Sequence, residues 1–330
     1  MTLKSTIEAA RAYLDPQQVN CVLYHYPCSD GSGAALCAWI ALGDKAIYEP
    51  LAYTKPFDEE KLRAKNVVIL DASFKKAQLQ HVRKLANKVL ILDHHDSAMK
   101  DLADDPGCCF HMGNSGAALS WHYFHGVDTP APRLISLIED RDLWVWRDRE
   151  ASEALFYALV DLYPDSDFRE YEKYLDEKNL AKAIKHGQTL KTANELWCTT
   201  MAAKSQRKTF MLPGSLNSYT VMCLELESDK LISELSEFIY TRHDVDFTLF
   251  WIPLGADKYK LSFRNNRQDI NLADIATALG GGGHPRAAGA VIKGTPFTNK
   301  WSIFQLNNES EISQAYSRMN DFTFAPFSFI

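Results

Sequence analysis

The chain has 330 residues, more than one hydrophobic core usually organises, so two domains are expected. Its 46% hydrophobic and 24% charged residues are ordinary for a globular protein, and no apolar run approaches the roughly 18 residues that cross a bilayer. A net charge of −6 argues against wrapping long nucleic acid, which depends on neutralising many phosphates, but leaves room for a small phosphorylated substrate held by a few local cations or metals. The seven cysteines are scattered without a C-x-x-C pair, which fits free thiols in a reducing compartment. Residues Met1 to Glu8 carry neither a signal-peptide core nor an Arg-rich transit pattern, so a cytoplasmic location is the default expectation.

In chain order, residues 5–14 read as a leading helix and Cys21–Tyr24 as a first strand. That strand ends in His25-Tyr26-Pro27-Cys28-Ser29-Asp30-Gly31-Ser32-Gly33, and Ala34–Leu42 then reads as a largely buried helix. Strand, Gly-containing turn and helix make a βα unit with unpaired amides at the helix start, although the glycine spacing matches neither a Walker nor a dinucleotide motif. Asn66–Leu70 is a second strand ending at Asp71, with a helix expected from about Lys76 to Ala86. Val89–Leu92 is a third apolar run, and it stops in Asp93-His94-His95-Asp96. Short apolar runs bounded by polar residues are buried strands of a parallel sheet, and ligands gather beyond the carboxyl ends of such strands. One carboxylate at a strand end is commonly a cap or a solvated turn. Three polar ends in succession along one sheet edge are harder to attribute to capping.

Asn114 or Ser115 caps a helix running to about Phe124, and Pro132–Ile138 is a further helix. It leads into the acidic run Glu139-Asp140-Arg141-Asp142, which the following Leu143 and Trp144 suggest packs inward. Helical composition dominates from about 150 to 205. Beyond Pro213-Gly214 the pattern is α+β: strands at 219–224, 246–252, 258–264 and 287–292, helices at 230–242 and 272–279. The fold class expected is therefore α/β: an N-terminal domain with a mostly parallel sheet flanked by helices (1–180), a helical linker (181–212), and a smaller α+β domain (213–330). Between the last helix and strand stand Gly280-Gly281-Gly282-Gly283-His284-Pro285-Arg286. Four glycines lose much backbone entropy on folding, so something must require them. Close approach to a ligand is one reason, with His284 and Arg286 as donors beside it, and Arg264 ends a strand nearby in the sequence.

Hard carboxylate oxygens with one or two imidazoles suit Mn²⁺ or Mg²⁺ better than a thiolate-preferring zinc site. Asp71, between the other clusters along the sheet edge, is placed to bridge two ions. Such a pair, about 3.5–4 Å apart, activates water and stabilises in-line displacement at phosphorus. The glycine-rich cluster would hold the rest of the substrate, which predicts a cleft between a cutting and a gripping domain.

These residues carry a family resemblance. Asp93-His94-His95 after an apolar strand, with His25, Asp30-Gly31 and Asp71 upstream, resembles the DHH phosphoesterases. Gly280–Gly289 resembles the glycine-rich signature of their DHH-associated C-terminal domain, which accompanies RecJ-type exonucleases, nanoRNA-degrading enzymes and cyclic-dinucleotide phosphodiesterases. The resemblance covers about residues 18–295. It implies a metal-dependent phosphodiesterase with His25, Asp30, Asp71, His94 and Asp140 as ligands, Asp142 competing for the role of Asp140. His95 would face the scissile phosphate and Asp93 would orient an imidazole. Gly282, Gly283, His284 and Arg286, with Arg264, would contact the substrate's distal phosphate or base. The implied cofactor is two Mn²⁺, with a single ion or Mg²⁺ as alternatives. One departure stands out: the family commonly has Asp-x-Asp in its first motif, and Cys28 stands here in place of the first aspartate.

The expected substrates are cyclic dinucleotides or short linear di- and oligonucleotides, cleaved to mononucleotides. A nanoRNase or 3′-phosphoadenosine 5′-phosphate phosphatase is the alternative, then a RecJ-like single-strand exonuclease, and outside enzymes a nucleotide-binding sensor. No long nucleic acid and no membrane are expected as partners, and a homodimer is compatible with the sequence.

Overall fold

In the computed structural model, which describes residues 2–52, 57–161, 167–212 and 217–293, the chain divides after Ala193 into two units, each with its own sheet. In the first unit, helix α1 (Leu3–Tyr13) leads into strand β1 (Cys21–His25), helix α2 (Ser29–Leu42) and strand β2 (Ile47–Leu51). Strand β3 (Asn66–Leu70), helix α3 (Lys76–Leu85), strand β4 (Lys88–Asp93), helix α4 (Asp96–Leu102) and strand β5 (Cys108–Phe110) follow. Helices α5 (Gly116–His125), α6 (Arg133–Asp142), α7 (Arg149–Asp161) and α8 (Glu177–Lys204) complete it, the last crossing into the second unit.

The five strands are parallel, in the order β2-β1-β3-β4-β5. Their side chains alternate between two cores, as a period of two requires. Val22, Val68, Leu70, Leu90 and Leu92 face one way, packing with α1, α2, α5 and α6. Leu23, Val67, Ile69, Val89 and Ile91 face the other, packing with α3 and the end of α4. Burial on both faces is why these strands read as continuous apolar runs. Tyr24 pairs with Leu70 and Leu70 with Leu92, so the next residues of the three central strands reach the same edge together.

The α/β class stands, with two edge strands that the sequence did not suggest. Strand β2 contains Pro50, which a ladder tolerates only at an edge, and β5 has just three residues. Helix α2 begins at Ser29 rather than after the glycines: extended Cys28 occupies its N-cap and Asp30 its first turn, where a carboxylate is favoured by the helix dipole.

The second unit is a six-stranded sheet of order β10-β11-β9-β8-β7-β6, antiparallel except between β7 and β8. Its elements are β6 (Gln206–Met211), β7 (Ser218–Glu225), α9 (Ile232–Tyr240), β8 (Phe247–Gly255), β9 (Lys258–Arg264), α10 (Leu272–Ala278), β10 (Gly282–His284) and β11 (Ala287–Lys293). Helix α10 covers one face, where Phe210, Phe247 and Phe263 meet edge to face, and α9 covers the other. The expected linker is thus a helix already begun at Glu177, and residues 206–211 belong to the sheet. The expected domain start at Pro213 and the stretch beyond residue 293 lie outside the described residues. Among the described residues, no helix is long and apolar enough to cross a membrane.

Phe263 is fully buried among those aromatics, so Phe263→Ala is expected to lower the unfolding free energy of the second unit by about 3–5 kcal/mol. Denaturant titration followed by tryptophan fluorescence would check this. A loss below about 1 kcal/mol would contradict the packing described.

Candidate active site

The sheet topology places β3 between β1 and β4, and the residues at or just beyond the carboxyl ends of these strands gather at one edge. Asp71 sits in the centre. Its φ of +56° is left-handed, sparsely populated for any residue with a Cβ but tolerated by Asp better than most. Its amide donates to the Leu92 carbonyl at 3.0 Å, which fixes the turn. The carboxylate then reaches both neighbouring strands, 3.3 Å from His25 Nδ1 and 3.1 Å from His94 Nε2.

His94 is the hub. Its Nε2 lies within 3.6 Å of three carboxylates: Asp71 at 3.1 Å, Asp142 at 3.5 Å and Asp30 at 3.6 Å. Burial opposes charge on the ring, but the Asp71 hydrogen bond and the three carboxylates reverse this and raise its pKa to about 10. Burial likewise acts to raise the Asp71 carboxyl, yet its bonds with His25 and His94 bring it well below the usual range. Asp30 is pushed well up, by burial first and then by Asp71 and Asp142. The imidazolium thus supplies positive charge where buried carboxylates repel one another.

Asp30 is held from behind by helix α5. The Gly116 and Ala117 amides donate to its two oxygens at 2.6 and 3.0 Å. Only glycine fits at 116, because a Cβ there would lie 2.4 Å from that of Asp71. Ser115 caps the same helix by accepting from the Ala118 amide. The cap was legible in the sequence. The tie from this helix to Asp30 was not, since nothing in the sequence pairs residue 30 with 116.

Asp93 bonds both members of the histidine pair. Its Oδ1 accepts from His95 Nδ1 at 2.6 Å and from the His94 amide at 2.7 Å, while the Ser73 hydroxyl donates to Oδ2 at 2.6 Å. Burial lowers the His95 pKa, but Asp93 outweighs it and the net shift is upward. Ser73 is a brace that the sequence reading missed; its only signal was a hydroxyl three residues past a strand end.

Asp140 requires a correction. Its carboxylate accepts from the Arg147 amide at 2.6 Å, the Asp148 amide at 3.2 Å and the Ser152 hydroxyl at 2.6 Å, which staples the turn from α6 to α7. Residues two apart on a helix point to different sides. Asp142, not Asp140, therefore faces His94, with its side chain 28% exposed.

Cys28 lies beside this cluster. Its sulfur, a ring nitrogen of His25 and an oxygen of Asp71 all fall within 4.8 Å of one another, as do donor atoms of Asp30, His94 and Asp142. Burial pushes the thiol well up, and Asp71, Asp142 and Asp30 push it further. Carboxylates and imidazoles converging at one mostly buried edge fit one or more divalent cations.

In the second unit, Arg264 pairs across the sheet with Ala287, which pairs with His284, so Arg264 and His284 share one end of the sheet with the exposed Arg286 beside them in the turn. Gly283 is required by chain packing. A Cβ on Gly283, whose φ is +136°, would lie 2.6 Å from the Ala287 carbonyl oxygen, so the β10–β11 hairpin forms only without one. Gly282 pairs with Gly289 in that hairpin.

Comparison with known proteins adds four findings. Residues 217–318 match the family model of the DHHA1 domain. Over 297 residues the chain is 30% identical to "Uncharacterized protein R106" of Acanthamoeba polyphaga mimivirus, spanning 84% of this chain and 68% of that one. It is 24% identical over 273 residues, 77% of this chain and 75% of the relative, to the bifunctional oligoribonuclease and PAP phosphatase NrnA of Mycoplasma genitalium. Among solved structures the fold is similar to RecJ of Thermus thermophilus in complex with Mn²⁺, with a TM-score of 0.50 and 14% identity, covering 97% of this chain and 55% of that chain.

Asp140→Ala is expected to lower stability by about 1–3 kcal/mol, because it strands three donors. Asp142→Ala should stay within about 0.5 kcal/mol of the parent chain, since it removes a crowded, part-exposed charge. Equal losses in parallel urea titrations would contradict the two roles.

Proposed function

The chain belongs to the DHH family of phosphoesterases, and we propose that it hydrolyses short nucleotide substrates to mononucleotides at the cluster centred on Asp71 and His94. The observation that carries this reading is the convergence of Asp30, Asp71, Asp142 and His94 at one edge of a parallel sheet, with His95 braced beside them by Asp93. His25, Asp30, Asp71, His94 and Asp142 would hold divalent cations, Mn²⁺ or Mg²⁺ being first choices for this donor set. Such cations supply charge neutralisation for phosphoryl oxygens and acidify a water molecule.

The protein's own groups do the rest. Asp71, in contact with donors from both neighbouring strands, serves both halves of the cluster. Asp93 fixes His95 through Nδ1 and favours its protonated form, so that Nε2 would contact the phosphoryl group or donate to the departing oxygen. The α5 amides keep Asp30 in place. Arg264, His284 and Arg286 of the second unit would hold the distal phosphate or base, matching arginine geometry to phosphate oxygens.

Short substrates are favoured by the net charge of −6, which disfavours long polyanions. Linear and cyclic dinucleotides come first. A second reading, hydrolysis of 3′-phosphoadenosine 5′-phosphate, draws on the relative NrnA, whose name joins oligoribonuclease with PAP phosphatase activity. A nucleotide sensor would have no use for so many carboxylates around a phosphate.

With Mn²⁺, mononucleotide release from a linear diribonucleotide, a cyclic dinucleotide and adenosine 3′,5′-bisphosphate would rank these substrates by chromatography. Turnover is expected on at least one, lost on chelation and restored by Mn²⁺. His95→Ala should reduce kcat by about 10²–10⁴-fold, and Asp71→Ala should abolish turnover. Nucleotide binding without turnover, or a fully active Asp71→Ala chain, would overturn the reading.

A further inference from the structure

Two of the donor groups in the cluster are chemically different. Asp30, His94 and Asp142 offer oxygen and nitrogen, whereas His25, Cys28 and Asp71 offer nitrogen, sulfur and oxygen. In each set the donor atoms lie within 4.8 Å of one another, and Asp71 also bonds His94, which joins the sets. Cys28 stands at the N-cap of α2, with its sulfur near the Gly31 amide and also beside His25 and Asp71. Cys28 is part-buried with its sulfur beside His25 and Asp71, whereas Cys37 lies within the hydrophobic core.

Resting on the reading of this cluster as a metal centre, we propose that His25, Cys28 and Asp71 form a mixed-donor position selective for a softer divalent cation of the zinc or iron(II) class. The position bounded by Asp30, His94 and Asp142 keeps a preference for Mn²⁺ or Mg²⁺, so the centre holds two unlike ions. Thiolate ligation favours zinc-class ions over manganese far more than carboxylate ligation does. On binding, the sulfur–metal bond forms as the thiol proton leaves to solvent, so uptake at this position releases a proton that a carboxylate would not.

Cobalt(II) is the probe. The full chain, stripped with chelator and titrated with Co²⁺, is expected to develop a sulfur-to-cobalt charge-transfer absorption in the near ultraviolet that saturates at one equivalent. Cys28→Asp should take up as much cobalt without that band, and Cys28→Ser should lose the band and weaken one of the two sites. Calorimetry should show the Zn²⁺-to-Mn²⁺ affinity ratio falling by at least about tenfold in Cys28→Asp. Cobalt uptake by the parent chain with no sulfur band would overturn this proposal and leave the metal centre standing. A band that persists in both Cys28 variants, or an unchanged affinity ratio, would also overturn it. No cobalt uptake at all, with Asp71→Ala indistinguishable from the parent chain, would overturn the metal-centre reading itself.

Discussion

Crowding of buried negative charge governs this structure. Three carboxylates from different elements stand within 3.6 Å of a single imidazole nitrogen. Withdrawing even one carboxylate from water carries a penalty of several kcal/mol unless it is paired and hydrogen-bonded. A chain selected only for stability would not bury Asp30 and Asp71 side by side with Asp142 at their rim. Positive charge at that point is required, and the protonated ring of His94 supplies it here in the same place where a divalent cation would.

Much of the first unit is arranged around holding that charge in position. The central strand β3 ends in a left-handed aspartate, a conformation that carries strain of order 1 kcal/mol and that recurs at functional sites. Helix α5 directs its first two amides to Asp30 instead of leaving them to solvent. Asp140 draws the α6–α7 turn tight, which sets the end of α6 and so the place of Asp142. Asp93 and Ser73 brace His95, and Asp93 ties that brace to the backbone of His94.

The central strands and their polar ends were legible because period-two burial on both faces writes itself as an apolar run, and the run's end marks the sheet edge. Hence His25, Asp71, Asp93, His94 and His95 emerged together. Strands β2 and β5 were not legible, since edge strands bury less and tolerate Pro50 or a length of three residues. Strand β6 was hidden by its polar, exposed start at Gln206-Arg207-Lys208. The exchange between Asp140 and Asp142 turned on helix phase at the last turn of α6, which an acidic run does not disclose. The glycine run was read as a ligand cradle, whereas Gly283 is needed by the hairpin itself; both uses leave the same mark in a sequence.

The central claim is that the crowded edge is a cation site. An anomalous-scattering crystal structure of the chain soaked in Mn²⁺ tests it most directly. The account predicts an anomalous peak within coordination distance of Asp71 and of at least two among Asp30, His94 and Asp142, with Asp140 still bonded to Ser152. No peak there, with His94 still hydrogen-bonded to Asp71 at high Mn²⁺, would contradict it.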